Sequence, residues 1–222
     1  MAFLSPANQQ TLRDTLGRMV QPVKALLFTQ AIGCETCAET RQILRELTAA
    51  TDRLTIEELN PVLDRERAAQ YGIDRAPAIV LLTEDGSDSR VRFLGAPAGS
   101  DFSAFVDAVL LVSGGSSQQL SEATRGRLAG LTEPLDLRVF VTPTCGYCPR
   151  AVALVNRLAF ASSLITATTV QATEFPDLAR AYRVSGVPKT VGSNGREVLG
   201  ALPEARFVSE LLGDEGTAAA GA

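Results

Sequence analysis

Cysteine carries most of the reactive chemistry in this chain of 222 residues, which contains four cysteines and no histidine. The cysteines form two C-x-x-C pairs, Cys34 with Cys37 and Cys145 with Cys148. Two cysteines three positions apart at the start of a helix lie on one face, with Cβ atoms about 5–6 Å apart, so they can close a disulfide. The absence of histidine excludes Ser-His-Asp and Cys-His nucleophiles and His-ligated zinc. The residue types therefore favour thiol–disulfide exchange.

The first cysteine of each pair is expected to be the reactive one. At a helix entrance, unpaired N–H groups and the helix dipole favour an anion, and the pKa of C-x-x-C thiols falls from about 8.5 to about 3.5–7.5. Cys34 or Cys145 would attack a substrate disulfide, and Cys37 or Cys148 would resolve the mixed disulfide. Without histidine, activity near neutral pH should follow the thiols themselves.

The chain contains an internal repeat. The two cysteine pairs lie 111 positions apart, and in each copy a proline follows the first cysteine by 43 positions, Pro77 after Ala76 and Pro188 after Val187. Shared landmarks at one offset indicate two copies of one unit. We predict a cis peptide bond before each proline. Such a bond would turn the backbone of Ala76 and Val187 toward the sulfurs, where it could pair with an extended substrate peptide.

Hydrophobic periodicity and turn residues predict the same elements in both copies, a βαβαββα unit preceded by a helix. In the first copy the predicted strands are 23–29, 54–59, 78–83 and 90–94, and the helices 38–49, 61–70 and 100–112. In the second copy the strands are 137–141, 164–170, 189–191 and 197–199, and the helices 150–160, 177–182 and 203–212. The preceding helices are expected to start at Ser5-Pro6 and at Ser121.

Residues 113–117, Ser-Gly-Gly-Ser-Ser, have the composition of a flexible linker. We therefore predict a first unit over residues 1–115, which contains Cys-Glu-Thr-Cys, and a second unit over residues 116–212, which contains Cys-Gly-Tyr-Cys. Residues 213–222 are small and polar and are expected to form a disordered tail.

Composition excludes several other classes of function. The formal net charge is −4, from 21 basic and 25 acidic residues, so neither nucleic acid nor an anionic membrane is an expected partner. The apolar runs are shorter than the roughly 20 residues of a membrane helix, and the N-terminus lacks a secretory pattern. We therefore expect a cytoplasmic protein, in which a disulfide is usually catalytic or redox-sensing.

Zinc binding is the main alternative use of two C-x-x-C pairs. A compact zinc ribbon separates its pairs by about 15–20 residues, whereas 107 residues separate the pairs here, so no metal site is expected. A second alternative is that the cysteines are buried and inert. Three acidic residues could relay protons to the sulfurs, but each is expected on the solvated surface: Glu57, Glu58 and Glu174.

Each repeat has a strand, a C-x-x-C pair, a helix, an X-Pro step and a hairpin, in that order. This order, present twice, resembles the thioredoxin superfamily. More narrowly, the chain resembles the glutaredoxin-like protein disulfide oxidoreductases of archaea and thermophilic bacteria, with the likeness carried by residues 73–78, 140–149 and 187–190. The resemblance implies an α/β fold of two tandem thioredoxin-fold units, each a central mixed β-sheet flanked by helices. It also implies redox-active pairs at Cys34–Cys37 and Cys145–Cys148, and substrate binding at the two cis-prolines, Pro77 and Pro188, with Ala76 and Val187.

The implied function is dithiol–disulfide exchange with protein substrates, comprising reductase, oxidase and in some members isomerase activity. Electrons would come from a thioredoxin reductase-like donor, and the redox-active disulfides would serve without a metal or flavin. One alternative is a dedicated electron carrier to a peroxiredoxin-type client, similar to the tandem module at the start of bacterial peroxiredoxin reductases. Another is a non-enzymatic protein whose disulfides switch binding.

The two sites are not expected to be equivalent. Glu35 places a carboxylate inside the first pair and disfavours the Cys34 thiolate, whereas Arg150 adds a cation near the second pair. We therefore predict that the Cys145 site is the more acidic and the faster in exchange. The hairpin of the second unit is also shorter, since 12 positions separate Pro188 from Gly200 and 18 separate Pro77 from Gly95.

Overall fold

The computed structural model describes residues 5–117 and 119–213. Beyond Gly213, the predicted tail lies outside the described residues. The elements follow the predicted order, with each repeat preceded by a helix. The first half comprises α1 (Pro6–Leu16), β1 (Val23–Phe28), α2 (Cys37–Thr48), β2 (Leu54–Leu59), α3 (Arg65–Gln70), β3 (Ala78–Leu82), β4 (Asp88–Leu94) and α4 (Asp101–Val112). The second half comprises α5 (Glu122–Ala129), β5 (Leu135–Val141), α6 (Cys148–Ala161), β6 (Ile165–Gln171), α7 (Pro176–Ala181), β7 (Lys189–Gly192), β8 (Glu197–Leu199) and α8 (Glu204–Leu212).

The strands of both halves form one eight-stranded mixed sheet with the order β2-β1-β3-β4-β6-β5-β7-β8. Within each half, the first two strands are parallel and the later ones antiparallel. The halves join where β4 pairs in parallel with β6, from Val91 opposite Ala167 to Leu94 opposite Val170. The predicted α/β class of two tandem thioredoxin-fold units is confirmed, and their sheets are continuous.

Apolar side chains cover both faces of this sheet. On one face, Ile43, Leu44 and Leu47 of α2 are fully buried, and Phe105 of α4 packs edge-to-face on Phe93 at 5.0 Å between ring centroids. The longest helix, α6, packs against α4 above the join between the halves. On the other face, the chain around α3 and α7 packs on a second apolar cluster. The sheet is therefore a rigid platform for the loops at its edges.

Helix α3 begins later than the prediction of residues 61–70, because the preceding residues form a side-chain-stabilised turn. The Asn60 side-chain oxygen accepts hydrogen bonds from the backbone N–H groups of Val62 and Leu63, at 2.9 and 3.1 Å. The Asp64 carboxylate in turn accepts from the Asn60 N–H at 2.7 Å. Such local bonds compete with helical ones, so the helix starts only at Arg65.

The first helix starts as predicted, since Ser5 Oγ accepts the N–H of Asn8 at 3.3 Å. The segment that follows α4 is partly tied to the first half. Ser113 accepts a backbone hydrogen bond from Gln21, and Gly115 donates one to Leu110, both at 2.9 Å. The division between residues 115 and 116 stays a prediction. Among the described helices, none is both long and apolar enough to cross a membrane.

Candidate functional site

Each cysteine pair lies at the start of a helix that follows a buried strand. The pairs form the disulfides Cys34–Cys37 and Cys145–Cys148, with Cα atoms 5.5 and 5.4 Å apart. Cys37 and Cys148 begin α2 and α6 and are only 4% and 0% exposed, whereas Cys34 and Cys145 precede the helices and are half-buried. In both disulfides only the first sulfur is therefore accessible to a partner from solvent.

Both disulfides lie at the same edge of the sheet. Strands β1 and β5, which lead into the two pairs, run in the same direction, and β3, β4 and β6 lie between them. Four strand spacings of about 4.8 Å place the two sites roughly 19 Å apart along this edge. The sulfurs of one site thus cannot exchange directly with those of the other across this sheet.

The two predicted cis peptide bonds, Ala76–Pro77 and Val187–Pro188, are confirmed. Each proline directly precedes a strand, β3 or β7, that pairs with the strand leading into the same unit's disulfide. Ala76 and Val187 therefore lie at the sheet edge that carries the cysteines. In the part of the chain that the structure describes, the backbone N–H and C=O groups of Ala76 and Val187 have no hydrogen-bond partner.

The immediate surroundings of the two reactive sulfurs differ. The backbone N–H of Cys148 donates to Cys145 Sγ at 3.2 Å, and residues 5–117 contain no corresponding bond to Cys34. Tyr147, between the cysteines of the second pair, is 69% exposed. A hydrogen bond to the charged form of a thiol favours the thiolate, and this contact is present only in the second site.

Gly99 and Ser100 of the first unit pack against the loop that precedes Cys145 in the second site. The backbone N–H of Ser100 donates to the carbonyl oxygen of Pro143 at 2.8 Å, two residues before Cys145. Gly99 approaches so closely that a Cβ atom there would lie 2.3 Å from the same oxygen, and its φ is +60°. Only glycine fits this approach without displacement.

The expected exposed position is confirmed for Glu58, whereas Glu57 and Glu174 are both only partly exposed. Glu57 pairs with Arg67 at 3.0 Å and Glu58 with Arg41 at 2.8 Å, both at the surface. Glu174 is half-buried, since the sheet join brings the loop after β6 against the first unit.

One Glu174 carboxylate oxygen accepts the N–H of Ala96 at 2.8 Å, and the other accepts the hydroxyl of Thr36, within the first cysteine pair. Burial raises the pKa of Glu174, partly offset by these two hydrogen bonds. A carboxylate of the second unit therefore contacts the first disulfide site.

Sequence reasoning does not single out a buried carboxylate at the same junction, Asp101 in the first turn of α4. Asp101 is 1% exposed, and one of its oxygens accepts the side-chain N–H of Gln171 at 2.6 Å. Burial raises the pKa of Asp101 to about 6, with the Gln171 bond opposing the shift. The signal in the sequence is an acidic residue in the first turn of the mostly apolar helix 101–112, and it also fits an ordinary helix start.

An open groove of about 440 Å³ lies beside Cys34, lined by residues including Thr29, Arg41 and Asn60. Two apolar side chains next to lining residues are exposed, Ile32 at 88% and Leu63 at 82%. Across residues 5–117 and 119–213, no group of three or more His, Cys, Asp or Glu side chains is arranged to bind a metal.

Comparison with known proteins supports this description. Residues 135–213 match the family model of the thioredoxin domain. A protein disulfide oxidoreductase from Aeropyrum pernix is 29% identical, with a TM-score of 0.83 over 92% of this chain and 90% of that one. The N-terminal domain of alkylhydroperoxide reductase AhpF from Enterococcus faecalis is 25% identical, with a TM-score of 0.86 over 94% of this chain and 100% of that one.

Among curated proteins, the alkyl hydroperoxide reductase AhpF of Escherichia coli is 25% identical over 191 residues. The aligned part covers 86% of this chain and 34% of that protein, so the chain spans about a third of the length of such relatives. The fold, the two C-x-x-C disulfides and these similarities agree with one another. The chain is built from two tandem thioredoxin-fold units, each with a C-x-x-C disulfide, and it is similar to a protein disulfide oxidoreductase of this fold.

Proposed function

We propose that this protein exchanges dithiols and disulfides with protein substrates at both sites, with Cys34 and Cys145 as nucleophiles and Cys37 and Cys148 as resolving residues. The observation that carries the proposal is the shared difference in burial. In both pairs the first sulfur is accessible at a helix entrance, and the second is buried behind it. A substrate can reach only the first, and only the second is positioned to release the substrate.

In the reducing direction, the Cys145 thiolate attacks one sulfur of the substrate disulfide. A mixed disulfide forms, the substrate S–S bond breaks, and the other substrate sulfur leaves as a thiolate that takes a proton from solvent. Cys148 then loses its proton to solvent and attacks Cys145 Sγ, which releases the second substrate thiolate and closes the protein disulfide. Two electrons and two protons pass to the substrate, and the reverse sequence oxidises a dithiol. The reaction uses only cysteine sulfurs, without a metal or flavin.

The backbone of Ala76 and Val187 is proposed to bind the substrate peptide. Their unpaired N–H and C=O groups lie at the sheet edge next to the cysteines, and an extended peptide can pair with such groups as an added strand. Pro77 and Pro188 complete these two binding segments. At the first site, exposed Ile32 supports contact with an apolar substrate side chain.

The electron donor and the clients are also part of the proposal. A thioredoxin reductase-like enzyme in the cytoplasm would reduce the protein disulfides, since catalytic disulfides there are kept in turnover by reductants. The similarity to alkyl hydroperoxide reductase AhpF favours one specific alternative, an electron carrier to a peroxiredoxin-type client. A redox-switched binding protein without turnover is the third possibility.

Reduction of insulin by dithiothreitol tests these alternatives. Wild type and the single-site variants Cys34→Ser and Cys145→Ser should accelerate insulin precipitation, and the double variant should not. If wild type gives no acceleration but reduces a peroxiredoxin, the carrier function replaces the general one. If neither substrate is reduced, the redox-switched binding function replaces both.

We further propose that the Cys145 site is the more acidic. The N–H bond from Cys148 to Cys145 Sγ supports this order, as does the absence of a carboxylate between those cysteines. Iodoacetamide alkylation against pH, with each site isolated by Cys→Ser changes at the other, should give the lower apparent pKa for Cys145. A lower value for Cys34 would contradict the assignment.

A further inference from the structure

Contacts between the units differ between the two repeats. At the offset of 111 positions, Thr36 corresponds to Tyr147, and Glu174 corresponds to Leu63. Glu174 accepts the hydroxyl of Thr36, whereas Tyr147 and Leu63 are 69% and 82% exposed. The loop of the second unit that contains Glu174 therefore contacts the first disulfide site. Among the described residues, Leu63 in the corresponding loop of the first unit makes no such bond to Tyr147 in the second site.

Thr36 is the residue at which α2 would ordinarily be capped. Its side chain makes no capping hydrogen bond to the helix, and its hydroxyl donates to Glu174. Threonine at this position usually accepts a backbone N–H of the first turn. Because no side chain caps this helix, the N–H groups at the start of α2 are available to an anion at Cys34.

The same segment of the second unit also contacts the loop that precedes Pro77 in the first site. Arg75, which directly precedes Ala76, donates to the Asp177 carboxylate at 3.0 Å. Its guanidinium also lies 5.6 Å from the centroid of the Phe175 ring. Residues 171–177 thus contact both the C-x-x-C turn and the loop before Pro77.

A glycine of the first unit allows residues 171–177 to approach closely. Gly95, with φ of +100°, faces it so closely that a Cβ atom would lie 2.5 Å from Gln171 Cβ and 3.0 Å from a Glu174 oxygen. The Gln171 side chain donates to the Ala96 carbonyl at 3.3 Å, beside the Ala96 N–H that binds Glu174. The contact is therefore a packed, hydrogen-bonded interface.

We propose that residues 171–177 of the second unit set the reactivity of the first disulfide, with Glu174 as a positioning residue that acts through Thr36. The inference rests on the proposed role of Cys34 and Cys37 as a redox pair. Its physical basis is that the bond to Glu174 holds the Thr36 side chain, and with it the turn between the cysteines, in one arrangement.

The negative charge of Glu174 provides a second measurable quantity, the apparent pKa of Cys34. Other charged groups lie in the same region: the carboxylates of Glu35, Glu39 and Asp177, the guanidinium of Arg75, and the guanidinium of Arg41 in the groove beside Cys34. Replacing Glu174 by Gln removes one negative charge and keeps one of the two oxygen acceptors that serve Ala96 and Thr36. A nearby negative charge disfavours a thiolate, so the apparent pKa of Cys34 should fall in Glu174→Gln.

The experiment isolates the first site in a Cys145→Ser/Cys148→Ser background and measures the rate of Cys34–Cys37 reduction by dithiothreitol. Loss of the Thr36 bond in Glu174→Ala should slow this rate about fivefold, the equivalent of one hydrogen bond. Glu174→Gln, which keeps one of the two acceptors, should slow the reduction less than Glu174→Ala and should lower the alkylation pKa of Cys34. Glu57→Gln, a surface carboxylate of the first unit, serves as the matched control and should change neither quantity.

The reciprocal background, Cys34→Ser/Cys37→Ser, separates positioning from general damage. There Glu174→Ala should leave reduction of Cys145–Cys148 within about twofold of its parent, since a distant, independent site does not respond. Equal slowing of both sites, or no slowing of the first, overturns the proposal. If Glu174→Ala does not fold, Asp177→Asn should slow the first site alone, and an unchanged rate is the contrary result. If dithiothreitol cannot reduce Cys34–Cys37 in the Cys145→Ser/Cys148→Ser protein with Glu174 intact, the redox role of Cys34 and Cys37 is refuted instead.

Discussion

Replacing Asp101 by Asn should change how the stability of the protein depends on pH. The Asp101 carboxyl is buried at the junction of the units, with one oxygen bonded to Gln171 and the other without a partner in the described structure. Its pKa rises from the ordinary 3.8 to about 6, because burial penalises the charged form. The first turn of α4 is a favourable place for a carboxylate, but the raised pKa shows that the burial cost is larger.

The sign and size of the effect follow from this shift. A folded pKa above the unfolded one means that the stabilisation is fully present below about pH 4 and is lost as the pH rises through about 6. A shift of about 2 units, at 1.36 kcal/mol per unit, corresponds to about 3 kcal/mol. Wild type should therefore lose about 2–3 kcal/mol relative to Asp101→Asn between about pH 4 and pH 7.

Urea unfolding of both proteins across this pH range measures the difference. With a slope of about 2–3 kcal/mol per molar urea, the gap between the two midpoints should change by about 1 M. The amide of Asn adds a buried N–H group, but its cost does not vary with pH and cancels from the comparison. Glu174 titrates in both proteins and cancels as well. Parallel midpoint curves would refute the assignment of a shifted pKa to Asp101.

Two further substitutions test the junction. Gly99→Ala should lower stability by at least about 2 kcal/mol, because its Cβ atom would lie 2.3 Å from the Pro143 oxygen at a positive φ; an unchanged thermal midpoint would contradict the close approach. Arg90→Ala should cost about 1–2 kcal/mol by thermal unfolding, because Arg90 donates to the carbonyl oxygens of Ala159 and Ser162 at the end of α6, at 3.2 and 3.1 Å. A cost below about 0.3 kcal/mol would mean that solvent replaces these bonds.

Local sequence was sufficient for the elements that carry the disulfides. The apolar strand before each cysteine pair, the helix after it and the X-Pro step all depend on neighbouring residues, and each is found where the pattern predicts it. The start of α3 was missed because the side chains of Asn60 and Asp64 satisfy backbone N–H groups that a helix would otherwise use. Hydrophobic periodicity does not register such competition.

Contacts between the units could not be predicted from the same patterns. The apolar residues of β4 and β6 indicate buried strands, but they do not specify that these two strands pair with each other. Glu174 follows a strand, as many exposed loop residues do, and it is half-buried because it packs against Gly95 and Ala96 of the other unit. Partner choice between distant segments depends on shape in three dimensions, which one sequence does not reveal.

The pairing of β4 with β6 also bears on why the two units occur in one chain. A unit on its own would expose one of these strands as a bare edge, and unpaired edges associate with other strands. Tandem linkage supplies the matching edge at a high effective concentration, which a separate molecule would have to reach by diffusion. Each unit thus protects the other from unwanted association.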